Sequence, residues 1–221
     1  MREIVFDTET TGLDPANGDR VIEIGCVELV NRITTGTHFH RYLNPERDIA
    51  QAAVAVHGLT VDFLSDQPLF AEVVEEFLEF VGDAPLVAHN ADFDMRFINA
   101  ELDRAGHATL PAARFVDTLV LARERFPGQQ NSLDALCRRM DVDNSNRTLH
   151  GALLDSQLLA EVYLELTGGR QAGLALDVAA QGPSAARVRK QRAPRPHAPS
   201  ASEKAAHDAF VTALPDAIWL R

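Results

Sequence analysis

The sequence predicts an α/β domain in which a mixed sheet is covered by helices, followed by a flexible C-terminal tail. β-rich runs stand in series near the N-terminus, strands and amphipathic helices alternate after residue 68, and both patterns fail beyond residue 180. Ile4-Val5-Phe6 leads into Asp7-Thr8-Glu9 and is closed by Thr-Gly-Leu-Asp-Pro, which reads as a buried strand ending in a turn. Val21 to Val30 and Thr37 to Leu43, parted by Asn31 to Gly36, extend it into an antiparallel meander. Phe70, Val73, Val74, Phe77, Leu78 and Val81 recur at helical spacing behind Pro68, a residue suited to a helix start. Pro85 to Ala88 then reads as a short strand, Asp92 to Ala105 as a helix, Arg114 to Asp117 as a strand and Asn131 to Met140 as a helix. Leu154, Leu158 and Val162 mark a last helix, stopped by Gly168-Gly169.

A length of 221 residues suits one globular domain with a tail, and 46% hydrophobic with 24% charged residues excludes collagen-like, disulfide-scaffold and wholly disordered classes. No stretch reaches about 18 unbroken apolar residues. The opening MREIVFDTETTGLD shows no export leader, so the cytoplasm is the expected compartment. Cys26 and Cys137, far apart, are expected to be reduced buried thiols. The net charge of −11 is unevenly spread: residues 1–168 hold 13 basic against 28 acidic side chains, and residues 169–221 hold 8 against 4. So acidic a domain is poorly suited to grip duplex through phosphate neutralisation alone, and a nucleic-acid substrate would require bound cations to offset the carboxylates.

Residues 181–202 form a linker by composition, broken by Pro183, Pro194, Pro196 and Pro199 and carrying five basic side chains between Arg187 and Arg195. That charge serves either to touch template phosphates or merely to solvate a spacer. Ser202 is the expected cap of a short helix with Phe210, Val211 and Leu214 along one stripe, before the terminal Ala-Ile-Trp-Leu-Arg. Residues 203–221 cannot build a core alone, so they are either disordered or a docking segment, and the hydrophobic end favours docking.

Asp7 and Glu9, two apart on a strand, point to one face. Two anions there are tolerable where a divalent cation binds both or where water reaches them freely. Asp92 and Asp94 open a helix, where either acid also satisfies the helix terminus; Phe93 and Phe97 face the core, which leaves Asp94 at the edge of that face. His150 and Asp155, were both helical, would stand roughly 140° apart, so His150 belongs to the loop before the helix and Asp155 to its first turns.

FDTETTG, HNADFD and LHGALLD, in this order and spacing, resemble the three motifs of the DEDDh family of 3′→5′ exonucleases. Over residues 2–169 the chain is similar to the branch of that family that proofreads for bacterial replicative DNA polymerases. This implies a ribonuclease H-like fold with a five-stranded mixed sheet for residues 1–169, and a catalytic set of Asp7, Glu9, Asp94, Asp155 and His150. Asp92 has no counterpart in the family pattern. The resemblance further implies two divalent cations, Mg²⁺ with Mn²⁺ as a substitute, about 3.5 to 4 Å apart. Asp7 would bridge them, Glu9 and Asp155 would complete the ion that holds the attacking water, and Asp94 would hold the other largely through water. His150 would be the general base, and no covalent intermediate is expected.

By the same resemblance Thr8, Thr10 and Leu13, with His57 and Asn90 close by, line the pocket of the terminal nucleotide, although Thr8 and Thr10 equally suit ordinary strand positions. Gln171, Leu174 and Leu176, within residues 170–180, are similar to a short sliding-clamp binding motif, and the segment around Phe210 and Trp219 would dock on the catalytic subunit of the polymerase. A small theta-type subunit is a further candidate partner. The substrate would be single-stranded or frayed DNA 3′ ends, since a mispaired end costs less to unpair. RNA-trimming relatives share the catalytic residues, and a non-catalytic adaptor joining clamp to polymerase is the reading from a different class.

Overall fold

The computed structural model describes residues 1–169 and 198–215. Its strands are β1 (Arg2–Thr10), β2 (Val21–Val30), β3 (Ile33–Tyr42), β4 (Leu86–Ala88) and β5 (Phe115–Asp117). They form one sheet in the order β3-β2-β1-β4-β5, antiparallel across β1 to β3 and parallel across β1, β4 and β5. This is the mixed five-stranded sheet expected. The helices are α1 (Gln51–His57), α2 (Val61–Leu64), α3 (Phe70–Val81), α4 (Ala91–Arg104), α5 (Thr118–Arg125), α6 (Leu133–Met140), α7 (Ala152–Leu166) and α8 (Ala201–Ala213).

β1 is central, so its alternate side chains feed two cores. Ile4 and Phe6 pack with Phe77 of α3 and Phe97 of α4, all fully buried. Val5 packs on the opposite face with Leu159, Ala160 and Tyr163 of α7. Asp7 and Glu9 share the parity of Val5, so the strand carries them toward the N-terminal end of α7. Burying a side chain such as Phe6 or Phe77 stabilises the domain by roughly 1.5–3 kcal/mol.

Polar anchors tie both helices to the sheet. Glu101 of α4, 1% exposed, accepts from Arg20 Nε and Nη2 (2.7 and 2.9 Å), from Arg104 Nη1 (3.1 Å) and from the Val21 N–H (3.2 Å). Its buried charge is therefore paired and hydrogen-bonded, as burial demands. On α7, Tyr163 donates from its hydroxyl to Glu3 (2.8 Å) and Ser156 donates to the Gly25 carbonyl (2.8 Å).

Several boundaries differ from expectation. β3 begins at Ile33, four residues ahead of Thr37, because Asn31 and Arg32, at φ 52° and 65°, make a two-residue hairpin turn. Gly36, at φ 86°, lies inside β3 beside the register shift between Val27 and Leu29, so it marks a bulge and not a loop. α3 starts at Phe70, and Glu72 accepts from the Leu69 N–H (2.7 Å). Ser132 caps α6, and α7 ends at Leu166, with Thr167 before the two glycines. The cap of α8 is Ser200, in a box with Glu203, and not Ser202. Phe210 of α8 is 64% exposed. Cys26 and Cys137 are free and buried. Gln171, Leu174, Leu176 and Trp219 lie outside the described residues, and among the described residues no helix is long and apolar enough to cross a membrane.

α7 meets the sheet at Gly25, where a Cβ would stand 2.2 Å from Leu153 N and 2.3 Å from Ala152 C, both backbone atoms. Gly25→Ala must therefore push the start of α7 outward. We expect it to cost about 1–3 kcal/mol in denaturant unfolding, the range for overpacking, and to lower nuclease activity beyond that loss, because Asp155 rides on α7.

Candidate active site

The cleft at the C-terminal ends of β1 and β4 has a volume of about 550 Å³. Its walls bring together Asp7 and Glu9 from β1, Asp94 from α4, His150 from the loop before α7 and Asp155 from that helix. One ligand atom each from Glu9, His150 and Asp155 lies within 4.8 Å of the others. Asp94 is 2% exposed, and its Oδ1 accepts from the Thr8 N–H (3.0 Å) and hydroxyl (2.7 Å), which ties the start of α4 to the strand that carries Asp7. His150 is held by its own backbone, whose N–H donates to the Val56 carbonyl at 3.1 Å. Its ring is half-exposed and Nδ1 stands 3.4 Å from Asp155 Oδ2.

Asn90, which opens α4, sits at φ 66°, a left-handed conformation that costs of order 1–3 kcal/mol unless the surroundings enforce it. Asp117 enforces it by accepting from the Asn90 N–H (3.1 Å), while His89 Nδ1 and the Thr118 hydroxyl share a hydrogen bond of 2.9 Å. Thr8 and Asn90 line the cleft. Thr10, Leu13 and His57 are absent from its lining: the Thr10 hydroxyl donates to Gly12 O (2.6 Å), bracing the turn after β1, and Leu13 is 79% exposed. His57 is buried, with Nδ1 accepting from the Leu59 N–H (3.0 Å) and Nε2 unpartnered among the described residues. Asp92 points away into an ion pair with Arg96 (3.2 Å) and is 70% exposed. Arg147 and Asp134, not singled out from sequence, also line the cleft, and Arg147 grips both oxygens of Asp155 (2.5 and 2.7 Å).

Like charge and burial dominate the electrostatics. Burial, then the charges of Asp94, Glu9 and Asp155, holds the Asp7 carboxyl well above its ordinary range. Burial, then Glu23, opposite on β2, pushes Glu9 up to about 8. Burial lifts Asp94 to about 7 against the lowering effect of the two Thr8 hydrogen bonds. Burial also works to raise Asp155, but the hydrogen bonds and charge of Arg147 outweigh it and hold that carboxyl low. Three carboxyls that resist ionising, beside a fourth held ionised by Arg147, are a hard-oxygen donor set of the kind that divalent cations occupy, so the residues fit such ions.

Comparison with known proteins agrees with this geometry. Residues 4–163 match the model of the RNase T exonuclease family. The chain belongs to that family. It is 55% identical over 174 residues to the DNA polymerase III subunit epsilon of Rickettsia felis, covering 77% of this chain and 76% of that one. To the subunit of the same name from Escherichia coli it is 52% identical over 176 residues, covering 76% of this chain and 72% of the other. Among solved structures, exonuclease X in complex with 5′ overhanging duplex DNA superposes with a TM-score of 0.58 at 26% identity, covering 74% of this chain and 90% of that one. The nuclease domain of 3′hExo, a DEDDh family member bound to rAMP, superposes at 0.63 with 18% identity, over 75% and 91% of the two chains, which shows the shared fold. The expected ribonuclease H-like exonuclease fold is therefore the observed one, and the family implies divalent metal ions at this cleft.

The raised carboxyls set a pH dependence. Glu9, with an ordinary value of 4.5 raised to about 8, and Asp94, raised to about 7, bind protons more tightly folded than unfolded. Across that window the metal-free native state holds the extra protons, so stability is highest at its acid end and falls as pH rises. Asp155 acts in the opposite sense, but only at more acidic pH. We expect the melting midpoint in chelator to drop between about pH 5 and about pH 8, and added divalent metal to raise it most at the alkaline end, where loading releases the fewest protons. A midpoint in chelator that climbs with pH would contradict this assignment.

Proposed function

We propose that this chain is the proofreading subunit of a cytoplasmic bacterial DNA polymerase III core, a 3′→5′ exodeoxyribonuclease that removes mispaired 3′-terminal nucleotides. The observation that carries the reading is the convergence of Asp7, Glu9, Asp94, Asp155 and His150 from three remote segments on one cleft, in a chain whose relatives of high identity are named as epsilon subunits of that polymerase. The four acids would hold a pair of Mg²⁺ ions, with Mn²⁺ as a substitute. When bound, such ions supply Lewis-acid stabilisation of the charge that develops on the phosphodiester oxygens.

The protein's own residues do the rest. The His150 imidazole, half-exposed at the cleft, takes the proton of the attacking water at Nε2, the ring nitrogen without a partner among the described residues. Thr8 holds Asp94 against β1, and Asn90, fixed by Asp117, presents its side chain beside the terminal nucleotide. Thr10, Leu13 and His57 would support that pocket from outside the cleft wall. An acidic domain that does not grip DNA by itself fits a division of labour in which the polymerase holds the duplex and this domain receives frayed ends.

In this reading residues 170–180 engage the sliding clamp (beta) through Gln171, Leu174 and Leu176. Residues 203–221 dock on the polymerase catalytic (alpha) subunit through Phe210, exposed on α8, and Trp219. A small theta-type subunit is a further partner of the domain.

Hydrolysis of sequence-matched DNA and RNA 3′ ends tests the substrate class. We expect DNA to be preferred, and a mispaired end over a paired one; preference for RNA would assign the chain to RNA trimming instead. In the same assay His150→Ala is expected to lose at least about 10²-fold in turnover, the size of general-base catalysis, with an unchanged melting midpoint. Unchanged turnover would remove His150 from the chemistry.

A further inference from the structure

Arg147 is the most connected side chain of the cleft. Its side chain is 7% exposed, and all three guanidinium nitrogens are engaged. Nε donates to Asp155 Oδ1 (2.5 Å), and Nη2 reaches both Asp155 Oδ2 (2.7 Å) and His150 Nδ1 (2.8 Å). Nη1 donates to Asp134 Oδ1 (2.9 Å), in the first turn of α6. Two-pronged pairing of this kind is among the stronger charge-assisted hydrogen bonds.

Two consequences follow from chemistry alone. Both oxygens of Asp155 already hold a cationic group, so a divalent ion that uses this carboxylate competes with the fork. A guanidinium can only donate, so at 2.8 Å the acceptor is His150 Nδ1, and the neutral ring carries its proton on Nε2. In that arrangement the imidazole has no free lone pair and cannot act as a base. Asp134, by contrast, is 43% exposed and keeps its Oδ2 clear of Arg147, so it has room to receive more of the guanidinium.

We propose that Arg147 is a positioning residue that works as a latch: before divalent ions bind, its guanidinium occupies Asp155 and the His150 Nδ1 lone pair, and loading of the site moves it onto Asp134, which releases Asp155 and lets Nδ1 take the ring proton so that Nε2 is open to act as the base. The latch gives the acidic cleft a resident counter-charge and couples availability of the base to occupancy of the site. It rests on the reading of Asp155 as a metal ligand.

The test is a Mn²⁺ titration of the full chain without nucleotide, followed by the free-ion electron paramagnetic resonance signal, for wild type, R147Q, R147K and D134N. Removing the competing fork in R147Q is expected to tighten binding about tenfold, the equivalent of one charge-assisted hydrogen bond. R147K keeps the charge and loses the fork, and is expected to bind about threefold tighter than wild type. D134N removes the receiving carboxylate and is expected to weaken binding. Melting midpoints in chelator should fall for R147Q and recover with Mn²⁺. The ¹⁵N shifts of the wild-type His150 ring should show the proton on Nε2 without metal and a changed ring state after loading.

Equal affinity of R147K and wild type would reduce Arg147 to a general positive charge and overturn the latch. So would R147Q binding as wild type or more weakly, which would make Arg147 an orienting aid to the metal. Wild-type protein that binds no Mn²⁺ would remove the metal-site reading itself. Should R147Q fail to fold, R147K and D134N decide the matter.

Discussion

Mutual repulsion among buried carboxylates is the constraint around which this molecule is built. Asp7, Glu9, Asp94 and Asp155 meet in one cleft, with Glu23 opposite Glu9 on β2. Left alone, such a cluster would either push its members apart or take up protons. It persists because each member is fastened by something stiffer than the repulsion. Asp7 and Glu9 are carried by the central strand of the sheet, Asp94 is pinned by two hydrogen bonds from Thr8, and Asp155 is held by the Arg147 fork. Proton uptake explains why Glu9 and Asp94 are pushed toward neutral pH, and cation uptake is the alternative that the donor set favours.

The fold supplies that stiffness economically. One strand with a period of two directs apolar side chains into cores on both faces and then, beyond Phe6, delivers two acids toward α7. Close approach of α7 at Gly25, the Ser156 and Tyr163 hydrogen bonds and the fully satisfied Glu101 network fix the two helices that carry the remaining acids. Because close-packed interiors transmit strain, these anchors position the carboxylates as well as the helices that carry them.

Much of this was legible in the residues themselves. The parity of Asp7 and Glu9, the Phe93 and Phe97 spacing that sets Asp94 at a core edge, and the angular argument that keeps His150 out of α7 all rest on local geometry, and local geometry survived folding. What could not be read depended on tertiary contact. α1 and α5 lack an apolar stripe of helical period: Gln51–His57 is built mainly of alanine and valine, and Thr118–Arg125 runs an apolar block, Leu119 to Ala122, into Arg123-Glu124-Arg125 without a face. Asn31-Arg32 makes a tight hairpin turn without the glycine that usually announces one, and Gly36 in its neighbourhood drew the loop too far along the chain. Arg147 and Asp134 lie thirteen residues apart, and only the convergence of α6 and α7 makes them partners; the one hint in sequence is that so many acids in one place require a cation.

Anomalous diffraction from a crystal soaked in Mn²⁺ and a nucleoside monophosphate addresses the cluster most directly. Two peaks about 3.5 to 4 Å apart, touching Asp7, Glu9, Asp94 and Asp155, are the expected result. A single peak elsewhere, or none while the four side chains keep their present places, would show that this crowd of carboxylates is not a metal centre.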